Sequence, residues 1–216
     1  MNTLNVMMNS VDNFYGQGIG QLLRELLRPT HAGEVVFEFG SNQESVAQAD
    51  IIVKHFSAGE SSLCHKILLH RKRHSMIIGI HDGVTTPYGS SLPLCINDII
   101  FINKNDSLEK VGRLILRGWG NCQERNLTGS QQQRCQECRH DTLTPQQVKI
   151  VDRFCVGEDV AQIARHLELT PKTIAAHKRR LMMKFNVKSN CELLALLSIM
   201  KTNGGYVSAE LAALNN

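Results

Sequence analysis

The stretch LTPKTIAAHKRRLMMKFNV, residues 169–187, decides how the C-terminal part of this chain folds. Thr170 followed by Pro171 is a typical helix start, because the threonine hydroxyl accepts a free backbone N–H group and proline is favoured at the first helical position. The apolar spacing that follows predicts one buried stripe. That stripe consists of Ile174, His177, Leu181 and Phe185. The remaining positions include five Lys or Arg side chains and no acidic one.

Two further helices are predicted immediately upstream. In LTPQQVKIVDRFCVG, residues 143–157, Thr144 caps a helix, and Gln147 stands at the third helical position, where it completes a capping box. In EDVAQIARHLEL, residues 158–169, apolar residues recur at helical spacing. A helix, a turn of about three residues and another helix entered at Thr170 are typical of a helix-turn-helix.

The excess positive charge of the chain lies in this region. Between residues 141 and 201 there are ten Lys or Arg against six Asp or Glu, and the remainder carries fourteen of each. A solvated helix face usually has acidic partners three or four residues from its basic ones, but residues 171–188 contain none. We therefore expect contact with double-stranded DNA, with basic side chains at phosphates and small ones near base edges. The predicted contacts are Thr170, Lys172, Thr173, Ala175, Ala176, Lys178, Arg179, Arg180, Lys184 and Lys188.

Residues 143–197 resemble the LuxR/FixJ-type helix-turn-helix domain, a four-helix DNA-binding unit. The matching residues are Leu143, Thr144, Gly157, Ile163, Ala164, Leu167, Lys172, Thr173, His177 and Val187. Within that family, KTIAAHKRRLMMKFNV looks similar to the enterobacterial regulators of the Rcs type. Gln147 stands where the family usually has a glutamate, and Ala175 stands where many members have a lysine. The second departure implies a different operator sequence.

The first 118 residues alternate between strand-like and helix-like segments. Short apolar runs, which predict strands, occur at residues 4–8, 35–37, 51–53, 76–80 and 99–102. Strands joined by helical crossovers predict an α/β domain with a doubly wound parallel sheet, followed by the all-α C-terminal domain. We expect one of the crossover helices at residues 58–73.

This α/β segment resembles the receiver domain that often precedes a LuxR-type module, which implies a flavodoxin-like fold. Ser10 and Val11 occupy the positions of the receiver's metal-binding acidic pair, and His55 occupies that of the phosphate-accepting aspartate. Lys104 matches the receiver's lysine. Phosphoryl transfer to a receiver needs a carboxylate nucleophile and a magnesium ion. We therefore expect a degenerate receiver that is not controlled by aspartyl phosphorylation.

Composition divides the chain into four predicted parts. They are a receiver-like regulatory and dimerisation domain at 1–118, a linker at 119–142, the helix-turn-helix domain at 143–201 and a tail at 202–216. The linker is polar and Gln-rich. Its candidate metal ligands are Cys122, Cys135, Cys138 and His140. They are exposed thiols of a flexible linker, ligands of one zinc or iron ion, or thiols of a redox switch. Because their spacing differs from that of common zinc sites, we expect no metal and no cofactor.

These features predict a sequence-specific transcription regulator that acts as a dimer. Two modules on adjacent half-sites give useful specificity, and a homodimer or a heterodimer with a related regulator satisfies this requirement. The resemblance implies dimerisation through the receiver-like domain or through the last helix, which is rich in leucine. The alternative function is an auxiliary subunit or antagonist that pairs with another LuxR-type regulator and contributes little DNA affinity itself.

Several classes of protein are not expected. The chain shows no Gly-rich phosphate loop, nucleophile elbow or paired-carboxylate motif, so we do not expect an enzyme. It also shows no signal peptide and no apolar run of about 20 residues, so we expect no membrane association. The predicted location is the cytoplasm, at the nucleoid when the protein is bound to DNA.

Overall fold

The structure is a computed structural model that describes residues 3–9, 13–28, 33–40, 42–83, 92–96, 98–128 and 143–203. The chain forms two compact units. The first comprises Met1–Phe56 and His65–Cys138, and the second comprises Ser57–Cys64 and Arg139–Asn216.

The first unit contains a parallel five-stranded sheet in the order β2-β1-β3-β4-β5. Its strands are β1 (Leu4–Asn9), β2 (Val35–Phe39), β3 (Ile51–His55), β4 (Met76–His81) and β5 (Ile99–Asn103). All six residues of β4 are buried, whereas β2 at the sheet edge is half-buried or exposed. The predicted doubly wound α/β architecture is confirmed, because this order is that of flavodoxin-like folds.

Three α-helices lie among the described residues of the first unit, namely α1 (Asn13–Leu27), α2 (Gln43–Gln48) and α3 (Leu108–Thr128). From α1, Ile19, Leu23 and Leu27 pack into the core beneath the sheet. Burial of such apolar stripes against the central strands supplies most of the favourable free energy of this unit.

Helix α3 corrects the predicted start of the linker at residue 119. The helix continues to Thr128, and Trp119 and Cys122 belong to the same buried cluster as Ile115. They follow Ile115 by four and seven residues, so they extend its buried stripe by two turns. The rest of the predicted linker, residues 129–142, lies outside the described residues, as does the tail from residue 204.

The predicted crossover helix at residues 58–73 is wrong in type. The chain forms two short 3-10 helices there, Glu60–Ser62 and Lys66–His70. Gly59 precedes the first with a left-handed backbone at φ 77°, which interrupts any continuous α-helix.

The second unit contains four α-helices among its described residues, as predicted for the helix-turn-helix domain. They are α4 (Pro145–Cys155), α5 (Val160–His166), α6 (Pro171–Lys184) and α7 (Asn190–Thr202). Complete capping boxes begin α4, α5 and α7, formed by Thr144 with Gln147, Asp159 with Gln162, and Ser189 with Glu192. These local bonds satisfy backbone donors that the first turn of a helix leaves free, and therefore fix where each helix begins.

The segment Ser57–Cys64 is part of the second unit. Leu63 is buried in the cluster that includes Leu196 and Phe185. A Cβ added at Gly59 would lie 2.8 Å from the backbone oxygen of Phe185 and 3.0 Å from Leu196. Only glycine combines this close approach with a left-handed backbone without strain.

Gly59→Ala is expected to destabilise the second unit by about 2–5 kcal/mol, because the left-handed backbone and the overlap with Phe185 both carry a cost. Gly157 is the matched control, since its φ is 87° but no atom lies within 4 Å of an added Cβ. Gly157→Ala should cost only about 1–2 kcal/mol.

The measurement is urea unfolding followed by helical circular dichroism. The single tryptophan, Trp119, is buried in the first unit, so its fluorescence transition should stay unchanged in both variants. If the two substitutions lower the free energy of unfolding by the same amount, the result would contradict the close packing at Gly59.

Candidate nucleic-acid interface

Helix α6 begins at a cap built from two threonines. The hydroxyl of Thr170 accepts a hydrogen bond from the backbone N–H of Thr173 at 3.1 Å, and the two hydroxyl oxygens lie 2.9 Å apart. The turn from α5 closes when the N–H of Leu169 donates to the carbonyl of Ala164 at 2.9 Å, with Glu168 left-handed at φ 54°. This short turn produces the predicted helix-turn-helix.

One side of α6 is anchored in the core of the second unit. Ile174, Leu181 and Phe185 are buried, as the apolar spacing predicts. His177, the fourth residue of the predicted stripe, is half-buried, and its buried Nδ1 has no hydrogen-bond partner among the described residues. The anchored stripe fixes which side of the helix faces outward.

The outward side of α6 is basic at its rim and apolar between the charges. Its exposed residues are Lys172, Ala175, Ala176, Arg179, Arg180 and Met183. Among the described residues, no carboxylate pairs with Lys172, Arg179 or Arg180. Arg153 of α4, by contrast, forms an ion pair with Glu158 at 3.1 Å. The cations of this face are therefore available for an external anion.

The other predicted contact residues flank that face. Lys178 is half-buried with its Nζ 5.8 Å from the ring centroid of Phe154, and Lys184 is half-buried with its Nζ 6.0 Å from that of Phe185. Lys188 is exposed beyond the end of the helix. The structure thus brings five predicted residues together on one face and places the remaining ones at its margins.

Met183 was missed by the sequence prediction. Its side chain is 75% exposed, and it follows Lys172, Ala176 and Arg179 at spacings of eleven, seven and four residues. These spacings place all four on the same side of the helix. The signal was present in the sequence, since Met183 lies almost opposite Leu181 and Ile174, but methionine is usually read as a core residue.

An open groove of about 510 Å³ borders this face of α6. Ala175, Arg179 and Met183 line it, together with Val160 from α5 and Asn190 from α7. The outward side of the helix is therefore bounded by a concave surface with apolar walls and cationic edges.

A second cluster lies at the carboxyl edge of the sheet in the first unit. Nε2 of His55 lies 2.9 Å from Oδ2 of Asp82, and Nζ of Lys104 lies 3.2 Å from Oδ1 of the same carboxylate. Desolvation raises the pKa of Asp82, but the hydrogen bonds from His55 and Lys104 outweigh it and hold that pKa below its usual range. Asp82 was not singled out in the sequence. Ser10 and Val11 lie outside the described residues.

The family model of bacterial regulatory proteins of the luxR family matches residues 141–197. Those residues are a LuxR-type helix-turn-helix domain. The match contains all of α4, α5 and α6, so the basic face described above belongs to the DNA-binding module of a family of transcription regulators.

Solved structures share the fold over about nine tenths of this chain. A complex of the two-component response regulator RcsB with DNA is 18% identical, with a TM-score of 0.52, and the match covers 91% of this chain and 98% of that one. A structure of two RcsB dimers bound to two parallel DNAs is 19% identical, with a TM-score of 0.51 and the same coverage.

RcsB from Salmonella enterica serovar Typhimurium, bound to the promoter P1flhDC in the presence of the phosphomimetic BeF3⁻, is 19% identical with a TM-score of 0.52. This match also covers 91% of this chain and 98% of that one. The receiver-like architecture that precedes the LuxR-type domain is confirmed by these matches. A search of curated proteins finds none that matches the chain.

One of the four candidate metal ligands of the linker, Cys122, lies among the described residues. Cys122 is buried, and its Sγ lies 2.5 Å from the carbonyl oxygen of His74. Burial raises the pKa of this thiol, so it is a protonated core residue and not an exposed linker thiol. Cys135, Cys138 and His140 lie outside the described residues.

Among the described residues, no group of three or more His, Cys, Asp or Glu side chains is arranged to hold a metal ion. No helix in the described part of the chain is both long enough and apolar enough to span a bilayer.

His81 at the end of β4 predicts a pH-dependent stability of the first unit. It is buried, its Nδ1 has no hydrogen-bond partner within the part of the chain that the structure describes, and burial lowers its pKa even though Asp106 and Asp82 act in the opposite direction. Because an unfolded histidine titrates at about 6.5, the unfolded chain binds more protons below that pH than the folded chain. Stability is therefore complete above about pH 6.5 and falls, by up to about 1.4 kcal/mol per pH unit, as the pH drops towards the folded pKa.

The measurement is urea unfolding between pH 5 and 8, followed by the fluorescence of Trp119. His81→Gln should remove most of the pH dependence over this range. His70→Gln, at an exposed histidine of the same unit, is the control and should retain it. If the free energy of unfolding of His81→Gln depends on pH as strongly as that of the wild type, another group is responsible for the pH dependence.

Proposed function

We propose that this chain is a sequence-specific DNA-binding regulator that acts as a dimer and whose activity does not depend on aspartyl phosphorylation. The observation that carries the proposal is the outward face of α6, where exposed cations surround small side chains and no carboxylate of the described chain pairs with the three basic residues Lys172, Arg179 and Arg180. A major groove about 12 Å wide admits such a helix.

The basic residues at the two ends of the helix are assigned to the phosphate backbone, and Arg179 and the small residues between them are assigned to the base edges. Lys172 lies at the start of α6 and Lys188 lies just beyond its end, so cations flank the helix along its axis. Ala175 and Ala176 leave room for the helix backbone to approach the bases between them. The RcsB structures with the same fold are bound to DNA, and this agrees with the assignment.

Dimerisation is assigned to the exposed side of α7. Leu193, Leu196 and Leu197 are buried in the core of the second unit, so three of the four leucines in the last helix are already used. The remaining one, Leu194, is 47% exposed. The exposed Cys191, Ala195 and Ser198 lie beside it at helical spacing, and together they form a smooth strip that allows two α7 helices to pack closely.

Independence of aspartyl phosphorylation is supported by the sheet edge of the first unit. A histidine, His55, stands in the phosphate-accepting position, and Lys104, the lysine expected to contact a phosphoryl group, is paired with Asp82. The positive charge that would stabilise a phosphoryl group is thus matched internally by a carboxylate.

The double variant Lys172→Ala/Arg179→Ala tests the DNA interface. With duplexes selected from a random pool by the full chain, its affinity should fall at least tenfold, because each contact contributes about 1–3 kcal/mol. For the wild type, a plot of log affinity against log salt concentration should have a slope of about −4 to −5, as expected for about five neutralised phosphates. The slope for the variant should be smaller in magnitude by about one to two.

Lys149→Ala/Lys201→Ala is the matched control, since it removes the same charge from exposed residues of α4 and α7. Both variants are compared by fluorescence anisotropy over a salt series. Equal losses in the two would show that net charge, and not the face of α6, holds the DNA. An unchanged affinity in the first variant would favour the alternative, in which a partner reads the DNA.

Leu194→Glu tests the dimer. Wild-type protein should sediment as a dimer without any phosphoryl donor, and acetyl phosphate with Mg²⁺ should neither shift the equilibrium nor add mass. The glutamate should weaken association at least tenfold, because it places two like charges across the interface. Leu116→Glu, at a leucine that is 43% exposed on α3 of the first unit, is the control.

If Leu116→Glu dissociates the dimer and Leu194→Glu does not, the dimer interface lies in the first unit. A chain that stays monomeric at high concentration would instead support pairing with a related regulator. Tighter association with acetyl phosphate would contradict independence from phosphorylation.

A further inference from the structure

Met183 is exposed in a helix whose other methionine has a packing role. Met182 is half-buried and packs against the core cluster of the second unit, whereas Met183 is 75% exposed. Because folding leaves Met183 in water, its side chain does not stabilise the fold by burial. A large apolar side chain that folding leaves in water gains free energy when a ligand covers it.

The position of Met183 points to the same ligand that Lys172 and Arg179 bind. All three lie on the outward side of α6 together with Ala176, and Arg179 stands between Ala176 and Met183. The order along the helix is therefore cation, small apolar, cation, large apolar. The two apolar positions are seven residues apart, or about 10 Å along the axis, which corresponds to about three base-pair steps.

The α6 helix offers few types of side chain that can form hydrogen bonds with bases. Residues 171–185 contain no Asn, Gln, Asp or Glu, so the helix lacks the amides that read adenine and the carboxylates that read cytosine. Arginine and lysine read guanine. The base that apolar side chains distinguish is thymine, through its 5-methyl group in the major groove.

We infer that Met183 and Ala176 are specificity-determining residues that bind thymine 5-methyl groups on either side of the base contacted by Arg179. The inference rests on the proposed function and deepens it, because it assigns the readout of the α6 face to guanine and thymine. Ala175, at the edge of the same face beside the groove, extends the apolar surface.

The test uses the full chain and the duplex that it selects from a random pool. Each thymine of that duplex is replaced in turn by uracil, which removes only the methyl group. Wild-type affinity should fall about fourfold at two positions about three base pairs apart, as expected for the loss of one buried methyl group at each. Replacement at the other thymines should change affinity by less than twofold.

Met183→Ala should abolish the discrimination between thymine and uracil at one of the two positions and leave it intact at the other. Met183→Leu, which keeps an apolar side chain of similar length, should restore most of it. Met182→Ala is the matched control and should keep both discriminations. Because Met183 is exposed, thermal unfolding of the variants at this position should match that of the wild type.

Uniform tolerance of uracil in a duplex that the wild type still selects and binds would overturn the inference and leave the proposed function intact. Unchanged discrimination in Met183→Ala would also overturn it, and would be the result if Met183 instead docks a protein partner. Failure to select any duplex would overturn the proposed function itself, and the inference with it.

Discussion

Burial of one stripe of α6 is the constraint on which the candidate interface depends. Ile174, Leu181 and Phe185 are each less than 2% exposed, and each contributes on the order of 1.5–3 kcal/mol when removed from water. A rotation of the helix that exposed them would cost several kcal/mol, more than any surface contact returns. The side opposite the stripe is therefore fixed towards the outside. An external ligand meets Lys172, Ala176, Arg179 and Met183 because the core permits no other orientation.

The first unit combines a receiver-like architecture with an internal network at one edge of its sheet. The parallel sheet brings the ends of β3, β4 and β5 to one edge, and in this chain His55, Asp82 and Lys104 meet there. The three groups satisfy one another with hydrogen bonds and opposite charges. The carboxyl edge of the sheet therefore holds an internal network of ion pairs, with the buried His81 beside it.

The two units also differ in how their parts are held. In the second unit, three capping boxes and the threonine cap of α6 fix helix starts through bonds that span three residues. In the first unit, the partners are distant in sequence. His55 and Asp82 are 27 residues apart, and Cys122 and His74 are 48 apart. Local bonds form from the sequence nearby, while distant ones depend on the register of the sheet.

This difference explains what the sequence by itself determined. It determined the starts of α4 and α6 in the LuxR-type domain, the buried side of α6 and the alternation that gives a doubly wound sheet, because caps and apolar periodicity act over a few residues. Only the tertiary structure decided that Trp119 and Cys122 join the core, that residues 58–73 form 3-10 helices, and that Asp82 binds both His55 and Lys104. It also decided that Met183 stays in solvent while Met182 packs. Such outcomes depend on which surfaces meet across long sequence separations, and no local pattern of residues contains that information.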